Sequence, residues 1–279
     1  MTDNAWRSEI RATLFAALAI SLIAAAPPQP MSLTPSPTSE TPQAKAQMVD
    51  GEHTAPHAEW GYTGATGPAH WSELSRSYAI CADGQQESPV DLAGAIPADL
   101  GRLAIAWRPL ELAGSNNGHT VQFDVPAGSQ FVMAGKTYRL LQFHLHHPGE
   151  HLVDGRRFPL EVHFVHRADD GTLGVIGVLV TAGAANRVLQ QVLDTVPREA
   201  GARQSGERID PTRLLPAARG FFRYEGSLTT PPCSESVDWV VLRQPITASP
   251  AQIMQFSAIF PFNARPVQAI DRRFLLRSR

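Results

Sequence analysis

The chain has 279 residues, of which 43% are hydrophobic and 18% are charged, and this length provides a core for one large domain or two small ones. A formal net charge of −2 and the lack of any basic run in the sequence exclude a general nucleic-acid-binding protein. The 23 prolines and 21 glycines argue against a coiled coil or a helical bundle and predict many short elements joined by turns.

The first 26 residues are predicted to form a signal peptide. Arg7 and Arg11 precede an apolar run of 15 residues, 12–26, and this order is typical of secretory signals. A helix needs about 20 residues to cross a bilayer, so we expect no stable membrane insertion after cleavage, at a site that the sequence leaves open. A buried core helix is the alternative, which the proline-rich sequence behind it disfavours. The chain is therefore expected to be periplasmic or secreted.

Residues 27–56 are predicted to form a disordered linker. Six of the 21 residues from Pro27 to Gln47 are prolines, mixed with Ser, Thr and Gln, and such a composition cannot bury a core. The folded domain is expected to cover residues 57–279, where the sequence shows neither an internal repeat nor a break in composition.

From about residue 100 onward, the sequence predicts β-structure. Short alternating or β-branched runs are bounded there by Gly, Pro and Asn. The predicted strands cover residues 120–125, 130–133, 138–146, 160–166, 173–181 and 237–242. Apolar residues at helical spacing predict short helices at 185–195 and 250–258. One β-rich domain is the simplest account of this pattern.

Histidines are concentrated in two of the predicted strands. Six of the ten histidines lie in the interval 144–166. Because side chains alternate along a strand, Gln142, His144 and His146 share one face of the first strand. This face is polar, whereas the opposite face carries leucine and phenylalanine.

The second of these strands repeats the arrangement. Glu161, His163 and Val165 share one of its faces. The segment 148–159 between the strands contains two prolines and two glycines, enough for a long turn between antiparallel neighbours. Pairing with the polar faces aligned would bring the imidazoles of His144, His146 and His163 together.

Three imidazoles leave the fourth position of a tetrahedral zinc ion open, as a catalytic site requires. Gln142 and Glu161 each lie two residues from a ligand candidate and on its face, so either could accept an imidazole N–H and fix its tautomer. The alternative is that His144 and His146 lie on a solvated face and His163 is a buried, hydrogen-bonded histidine. The spacing does not fix the metal, because imidazole also suits copper, iron and nickel.

The segment 224–233 is predicted to be an irregular loop. It ends in Pro231-Pro232-Cys233 and carries Thr229 and Thr230 just before the prolines. Two prolines in a row exclude a regular helix or a central strand. An ordinary proline-rich loop is the alternative to a functional one.

Many short motifs follow one another in a set order. They are Trp60-Gly61-Tyr62, Gly67-Pro68, His70-Trp71, Ser88-Pro89-Val90-Asp91, Asn116-Asn117-Gly118-His119, Gln142-Phe143-His144-Leu145-His146, Glu150-His151, Glu161-Val162-His163, the segment 226–232 and Asn263-x-Arg265-Pro266. Over residues 60–275 the chain therefore resembles the α-class carbonic anhydrases. The resemblance implies a mainly β (α+β) fold: a single domain on a large central, mostly antiparallel twisted sheet with a few short surface helices.

The resemblance also implies a ligand set. His144, His146 and His163 match the residues that bind a catalytic Zn²⁺, and Gln142 and Glu161 match the hydrogen-bond acceptors behind them. His151, next to Glu150, resembles a family histidine with a structural role and is not a ligand candidate.

The same resemblance implies roles for the loop residues. Thr229 would accept a hydrogen bond from zinc-bound hydroxide and donate one to Glu150, which orients the hydroxide. The backbone N–H of Thr229 and the side chain of Thr230 would hold substrate, product and anions. A nonpolar gas needs an apolar wall, because no strong polar contact is available to bind it. The matching wall residues are Val165, Val175, Leu228, Val237 and Trp239.

The implied activity is that of a carbonic anhydrase (a carbonate dehydratase, a lyase): zinc-dependent reversible hydration of carbon dioxide to bicarbonate and a proton, by attack of zinc-bound hydroxide. His119 matches the proton shuttle of the family, and an imidazole titrates in a range that suits this task; a plain surface histidine is the alternative. Similarity to secreted and bacterial members implies a Cys81–Cys233 disulfide. The alternative is that both cysteines are free, buried thiols.

Some positions depart from the family pattern or have no assigned role. Glu87 stands where Gln is usual, His147 where Trp is common, and Arg167 where another aromatic residue is frequent. Strand alternation is expected to turn His147 away from the ligand pair. His53 and His57 have no assigned role.

Three other functions remain to be weighed. A zinc-dependent ester hydrolase could use the same site, and only substrate assays separate the two activities. A metal-free binding module is disfavoured because all three ligand positions are intact, and a histidine-rich metal store would not need the loop threonines and the apolar wall. The expected partners are small molecules, carbon dioxide and bicarbonate, and not nucleic acid; a homodimer stays open.

Overall fold

Strands dominate residues 59–279, the part of the chain that the computed structural model describes. In chain order they are β1 (Ile96–Ala98), β2 (Ala104–Ala106), β3 (Leu110–Asn116), β4 (Val121–Asp124), β5 (Gln130–Met133), β6 (Lys136–His146), β7 (Leu152–Val153), β8 (Arg156–Arg157), β9 (Leu160–Arg167), β10 (Leu173–Ala182), β11 (Gly201–Ile209), β12 (Phe221–Gly226), β13 (Val237–Ala248) and β14 (Leu276–Ser278). The predicted signal peptide at 1–26, the linker at 27–56, and His53 and His57 lie outside the described residues.

The helices are few and short. They are α1 (Trp71–Leu74), α2 (Ile80–Asp83), α3 (Arg187–Thr195) and α4 (Pro250–Ser257). The Asn186 side chain caps α3 by accepting two backbone N–H bonds, and Ser249 opens α4 in a capping box with Gln252. The two predicted helices are thus confirmed to within two residues at each end. None of the helices in residues 59–279 is long and apolar enough to span a bilayer.

One large, mixed and twisted sheet organises the domain. Its strand order is β1-β14-β12-β13-β10-β9-β6-β4-β3-β11, and β2 and β5 extend it beside β6. The pairs β1–β14 and β10–β13 are parallel, and the other pairs of this sheet are antiparallel. The mostly antiparallel sheet expected from the sequence is therefore confirmed.

The register between β6 and β9 aligns the two polar faces. His144 lies opposite His163, and His146 lies opposite Glu161. The register shifts between Leu140 and Gln142, so the pairing near the histidines differs from that at the start of β6. The antiparallel pairing predicted from the alternating pattern is confirmed.

Strand β9 is buried on both faces, which explains its mixed sequence. Val162 and Phe164 point into the larger apolar core, whereas Val165 belongs to a second apolar cluster on the opposite face. Glu161 and His163 share that second face and are also buried. Buried polar groups are costly unless they are paired, so these two side chains must find partners inside the protein.

Candidate metal centre and active site

Strands β6 and β9 bring three imidazoles together. One ring nitrogen each of His144, His146 and His163 lies within 4.8 Å of the other two. His146 and His163 are only 1% exposed, and His144 is partly buried. The cluster combines two histidines from one strand with one from its neighbour, as the sequence predicted.

Two of the rings are held by the acceptors expected from the sequence. His144 Nδ1 donates to Gln142 Oε1 at 2.9 Å, and His163 Nε2 donates to Glu161 Oε1 at 2.9 Å. An amide oxygen and an ionised carboxylate accept only, so each ring carries its proton on the bonded nitrogen. The other nitrogen of each ring is then left with a lone pair for a metal.

The third ring is held by an acceptor that the sequence did not reveal. His146 Nδ1 donates to the backbone carbonyl oxygen of Asn263 at 2.6 Å. The motif that contains Asn263 was recognised in the sequence, but it carried no role. A main-chain acceptor leaves no mark on residue type, so only the fold could identify it.

The free nitrogens fit a cation. His146 Nε2 is buried and has no hydrogen-bond partner in the described residues. Burial lowers the pKa of all three rings, that of His146 to about 4, so they stay neutral, which is the metal-binding form. Three converging neutral imidazoles are a donor set that suits zinc.

Glu161 ties the ligand strand to the turn that follows β6. Its Oε2 accepts the backbone N–H groups of Glu150 and His151 at 2.8 and 2.9 Å, and its Oε1 accepts from His151 Nδ1 at 2.7 Å. Burial opposes ionisation, but the ring N–H groups of His151 and His163, which both donate to this carboxylate, hold the pKa of Glu161 well below its usual range. The other His151 nitrogen bonds to the Tyr224 hydroxyl at 2.6 Å, so both nitrogens of His151 are used in the structure.

Glu150 lies directly against the cluster. Its Oε2 is 3.6 Å from His146 Nε2 and 3.9 Å from His163 Nδ1, and its Oε1 accepts the Arg265 backbone N–H at 2.8 Å. Burial raises the pKa of Glu150 to about 7, and the neighbouring Arg265 N–H and Thr229 hydroxyl act in the opposite direction. Glu150 and Thr229 are thus brought together.

An apolar surface adjoins the imidazoles. The five side chains predicted to form the wall all belong to, or pack against, the second apolar cluster. They are Val165, Val175, Leu228, Val237 and Trp239. The Trp239 ring lies 4.9 Å from that of His163, and its Nε1 donates to the Ser227 carbonyl oxygen at 3.0 Å. The wall and the cluster are neighbours.

The loop between β12 and β13, which carries Thr229 and Thr230 and is called the threonine loop below, is joined to the start of the domain. Cys81 in α2 and Cys233 form a disulfide with a Cα–Cα distance of 5.1 Å, which confirms the predicted pair. Thr230 is partly buried, and its carbonyl oxygen accepts the Cys233 N–H at 2.9 Å. The covalent link therefore lies in the loop that carries Thr229 and Thr230.

His119 lies outside the three-histidine cluster. It follows β3 in a turn and is partly exposed. Its ring stacks on Trp60, a contact that the sequence did not predict although Trp60 lies in a recognised motif. Burial lowers the pKa of His119 from its ordinary value.

The departures from the family pattern are accommodated locally. His147 Nδ1 donates to the Pro261 carbonyl oxygen at 2.9 Å, and His147 is not part of the cluster. Glu87 forms a buried ion pair with Arg265, which also donates to the carbonyl oxygen of Cys81 at 2.7 Å. Arg167, at the end of β9, is exposed. Sequence reasoning missed the ion pair, because its partners are far apart in the chain.

Comparisons with known proteins agree with this geometry. Residues 66–278 match the model of a family described as eukaryotic-type carbonic anhydrase. A carbonic anhydrase of Nostoc sp. is 45% identical over 238 residues, which cover 83% of this chain and 90% of the relative. One of Pectobacterium atrosepticum is 41% identical over 219 residues, covering 78% and 90%.

Solved structures give the same result. The α-carbonic anhydrase of Thermovibrio ammonificans, in complex with the inhibitor sulfanilamide, has a TM-score of 0.76 and 40% identity, covering 80% of this chain and 99% of that one. The α-carbonic anhydrase of Photobacterium profundum has a TM-score of 0.75 and 39% identity, covering 78% and 100%.

Proposed function

The chain belongs to the eukaryotic-type, or α-class, carbonic anhydrase family, and from this premise we propose that it hydrates carbon dioxide reversibly with a zinc ion held by His144, His146 and His163. Carbonic anhydrase activity follows from the family; the metal and the role of each residue are the proposal. The observation that carries it is the cluster of three imidazoles, each with its second nitrogen bonded to an acceptor.

The three acceptors preorganise the ligands. Because Gln142, the Asn263 carbonyl and Glu161 each take an N–H, the lone pairs of the rings are available without loss of a proton. A bound zinc ion would supply a Lewis acid that makes hydroxide available at neutral pH.

Thr229 and Glu150 orient the attacking oxygen. The Thr229 hydroxyl has one proton, which it donates to Glu150, so towards the reactants it can only accept a hydrogen bond. A hydroxide that donates its proton to Thr229 points a lone pair away from it. The backbone N–H of Thr229 and the hydroxyl of Thr230 then hold the bicarbonate oxygens.

The apolar wall holds carbon dioxide beside this oxygen. Val165, Val175, Leu228, Val237 and Trp239 offer contact surface to a molecule that has no strong hydrogen-bonding group. Ester hydrolysis is the second candidate at the same site. Substrate assays separate the two activities.

His119 moves the product proton towards solvent. Its ring is partly exposed, and neutral imidazole can accept a proton and release it near physiological pH. The regeneration of hydroxide therefore depends on His119.

The proposed location is the periplasm or the exterior of the cell. The segment 1–26 would direct export, 27–56 would be a linker, and 57–279 would be the catalytic domain. The Cys81–Cys233 disulfide supports export, because such bonds persist in oxidising compartments. Fractionation of cells that express the full chain tests this, and a cytoplasmic, unprocessed protein would contradict it.

Stopped-flow carbon dioxide hydration, with metal content measured on the same sample, tests the function. One zinc per chain and fast hydration, both lost in H144A, are expected. The variant H70Q, which changes a histidine outside the cluster, is the control. A zinc-loaded protein that hydrolyses esters but does not hydrate carbon dioxide would overturn the proposal.

A further inference from the structure

The side-chain amide of Asn263 forms hydrogen bonds to the main chain of two separate segments through both its nitrogen and its oxygen. Nδ2 donates to the carbonyl oxygens of His119 and Leu145, each at 3.0 Å, and Oδ1 accepts the His147 N–H at 2.6 Å. Asn263 is only 1% exposed. A buried amide with two donor hydrogens and one acceptor oxygen all engaged has a single fixed orientation.

These bonds join the His119 turn to the ligand strand. Leu145 lies between His144 and His146 in β6, so its carbonyl group is part of the segment that carries two of the ligands. Thr120, the residue after His119, strengthens the junction by donating its hydroxyl to the same Leu145 carbonyl oxygen at 2.6 Å. The backbone at His119 is thereby fixed relative to the ligand pair.

The His119 ring, in contrast, is held only by contact. Among residues 59–279 no hydrogen bond is made to either ring nitrogen, and the ring stacks on Trp60. The His119 N–H is held by the Asn117 side chain at 3.0 Å. The peptide groups on both sides of His119 are thus anchored by hydrogen bonds, whereas its ring is positioned by stacking on Trp60 and keeps both nitrogens available.

We propose that Asn263 is a positioning residue for proton transfer: its side-chain amide sets the distance between the His119 backbone and the strand that carries His144 and His146. Its backbone carbonyl has a separate task, because it holds His146. Replacing the side chain removes the bonds to the His119 segment but leaves the backbone carbonyl that accepts from His146. This inference rests on the proposed function, in which His119 carries the proton.

The distance between His119 and the ligand strand should affect kcat more than kcat/KM. The proton leaves after bicarbonate has formed, so its transfer contributes to kcat, whereas kcat/KM reports the steps from free enzyme and carbon dioxide through hydration. A purely structural asparagine would lower both constants together, or would lower only the stability.

The test compares N263A, N263D, H119A and the double variant N263A/H119A in stopped-flow hydration at low buffer concentration. For N263A we expect a roughly tenfold lower kcat, since misplacement by about 1 Å can cost up to 100-fold, with kcat/KM within about twofold of wild type and one zinc per chain retained. N263D, which turns a carboxylate oxygen towards two carbonyl oxygens, should lose more. Imidazole added as a buffer should restore kcat in N263A as it does in H119A.

The double variant tests whether Asn263 and His119 act on the same step, and a substitution at a remote asparagine is the control. N263A/H119A should be no slower than H119A, because both substitutions remove the same route. The control N186A deletes a partly buried amide that also bonds to backbone, at the cap of α3, and should lower stability without changing kcat.

Several outcomes would overturn the inference. A parallel loss of kcat and kcat/KM in N263A, a loss of zinc, or the absence of imidazole rescue would each show a structural role only. A normal kcat in H119A itself would instead refute the proposed shuttle. One measurement needs no variant: in the wild-type protein, NMR should show both Nδ2 protons of Asn263 protected from exchange, and rapid exchange of either would also overturn it.

Discussion

The imidazole of His119 lies flat against the indole of Trp60, with ring centroids 3.7 Å apart and planes inclined by 8°. Trp60 is itself fixed by edge-on contacts with Tyr62 and Trp71, whose centroids lie 5.5 and 5.4 Å away. Stacking uses the face of the imidazole and leaves its two nitrogens at the edge. The ring can therefore exchange a proton while Trp60 holds it.

The first prediction concerns the pKa of His119. Burial lowers this pKa, and the stacked indole supplies part of that burial, so W60A should raise it towards the ordinary value. NMR titration of the His119 ring in the wild type and in W60A measures the change directly. W60F keeps an aromatic face and should stay closer to wild type. A lower pKa in W60A would show that the indole mainly stabilises the charged imidazole.

Metal affinity should depend on Gln142. Replacing it by alanine leaves His144 Nδ1 without its acceptor, so the ring loses its fixed tautomer and orientation. We expect zinc to bind about 10 to 100 times more weakly, as for other partners behind a ligand. Competition with a chelator gives the dissociation constants. Q190A is the matched control, because Gln190 bonds to Asp194 on α3, away from the three histidines; equal affinities in Q142A and Q190A would contradict the assignment.

The Thr229 hydroxyl should matter for hydration more than for metal binding. T229V removes both the donor to Glu150 and the acceptor proposed for hydroxide, while it keeps the size of the side chain. We expect kcat/KM for carbon dioxide to fall by about 100-fold, because misorienting a reacting group costs about this factor in rate. The zinc content should be unchanged. T229S retains the hydroxyl and should keep most of the activity. Similar activities in T229V and T229S would refute the role of the hydroxyl.

The sequence predicted those parts of the site that lie on regular strands. Alternation along 138–146 and 160–166 was sufficient to align His144 with His163, because strand geometry makes side-chain direction a function of position. The Asn263 carbonyl that holds His146 could not be found in this way. Every residue type carries the same main-chain acceptor, and the contact joins residues 117 positions apart.

Long-range contacts between irregular segments were likewise beyond the sequence. The buried ion pair of Arg265 with Glu87 and the stack of His119 on Trp60 depend on where loops meet. The disulfide was anticipated only through the resemblance, since two cysteines 152 residues apart have no local signature.

Removal of the disulfide should lower stability. Cys81 and Cys233 close a loop of 152 residues, so C81A/C233A should reduce the free energy of unfolding by about 2 to 5 kcal/mol. Urea unfolding of both proteins measures the difference. Dithiothreitol should destabilise the wild type and leave the double variant unchanged. A double variant as stable as the oxidised wild type would show that packing alone holds the threonine loop.

The pH dependence of stability should contain a contribution from His166. This ring is fully buried on the face of β9 away from the metal cluster; its Nδ1 donates to the Phe164 carbonyl oxygen at 2.9 Å, and its Nε2 accepts from Trp107 Nε1 at 3.2 Å. Burial lowers its pKa from 6.5 to about 3. His166 therefore stays neutral in the folded protein at a pH at which the unfolded chain has already bound a proton.

The sign of this effect follows from linkage. Between pH 6.5 and about 3 the unfolded state binds more protons at this position, so stability falls as the pH falls. Relative to pH 7, the loss reaches about 2.5 kcal/mol near pH 4.5, because stability falls by up to about 1.4 kcal/mol for each pH unit below 6.5. H166Q should be less stable at pH 7 but should lose correspondingly less between pH 7 and about 4.5, which urea unfolding at the two pH values measures. H70Q, changed at an exposed histidine, is the control, and parallel curves for H166Q and the wild type would exclude His166 as the source.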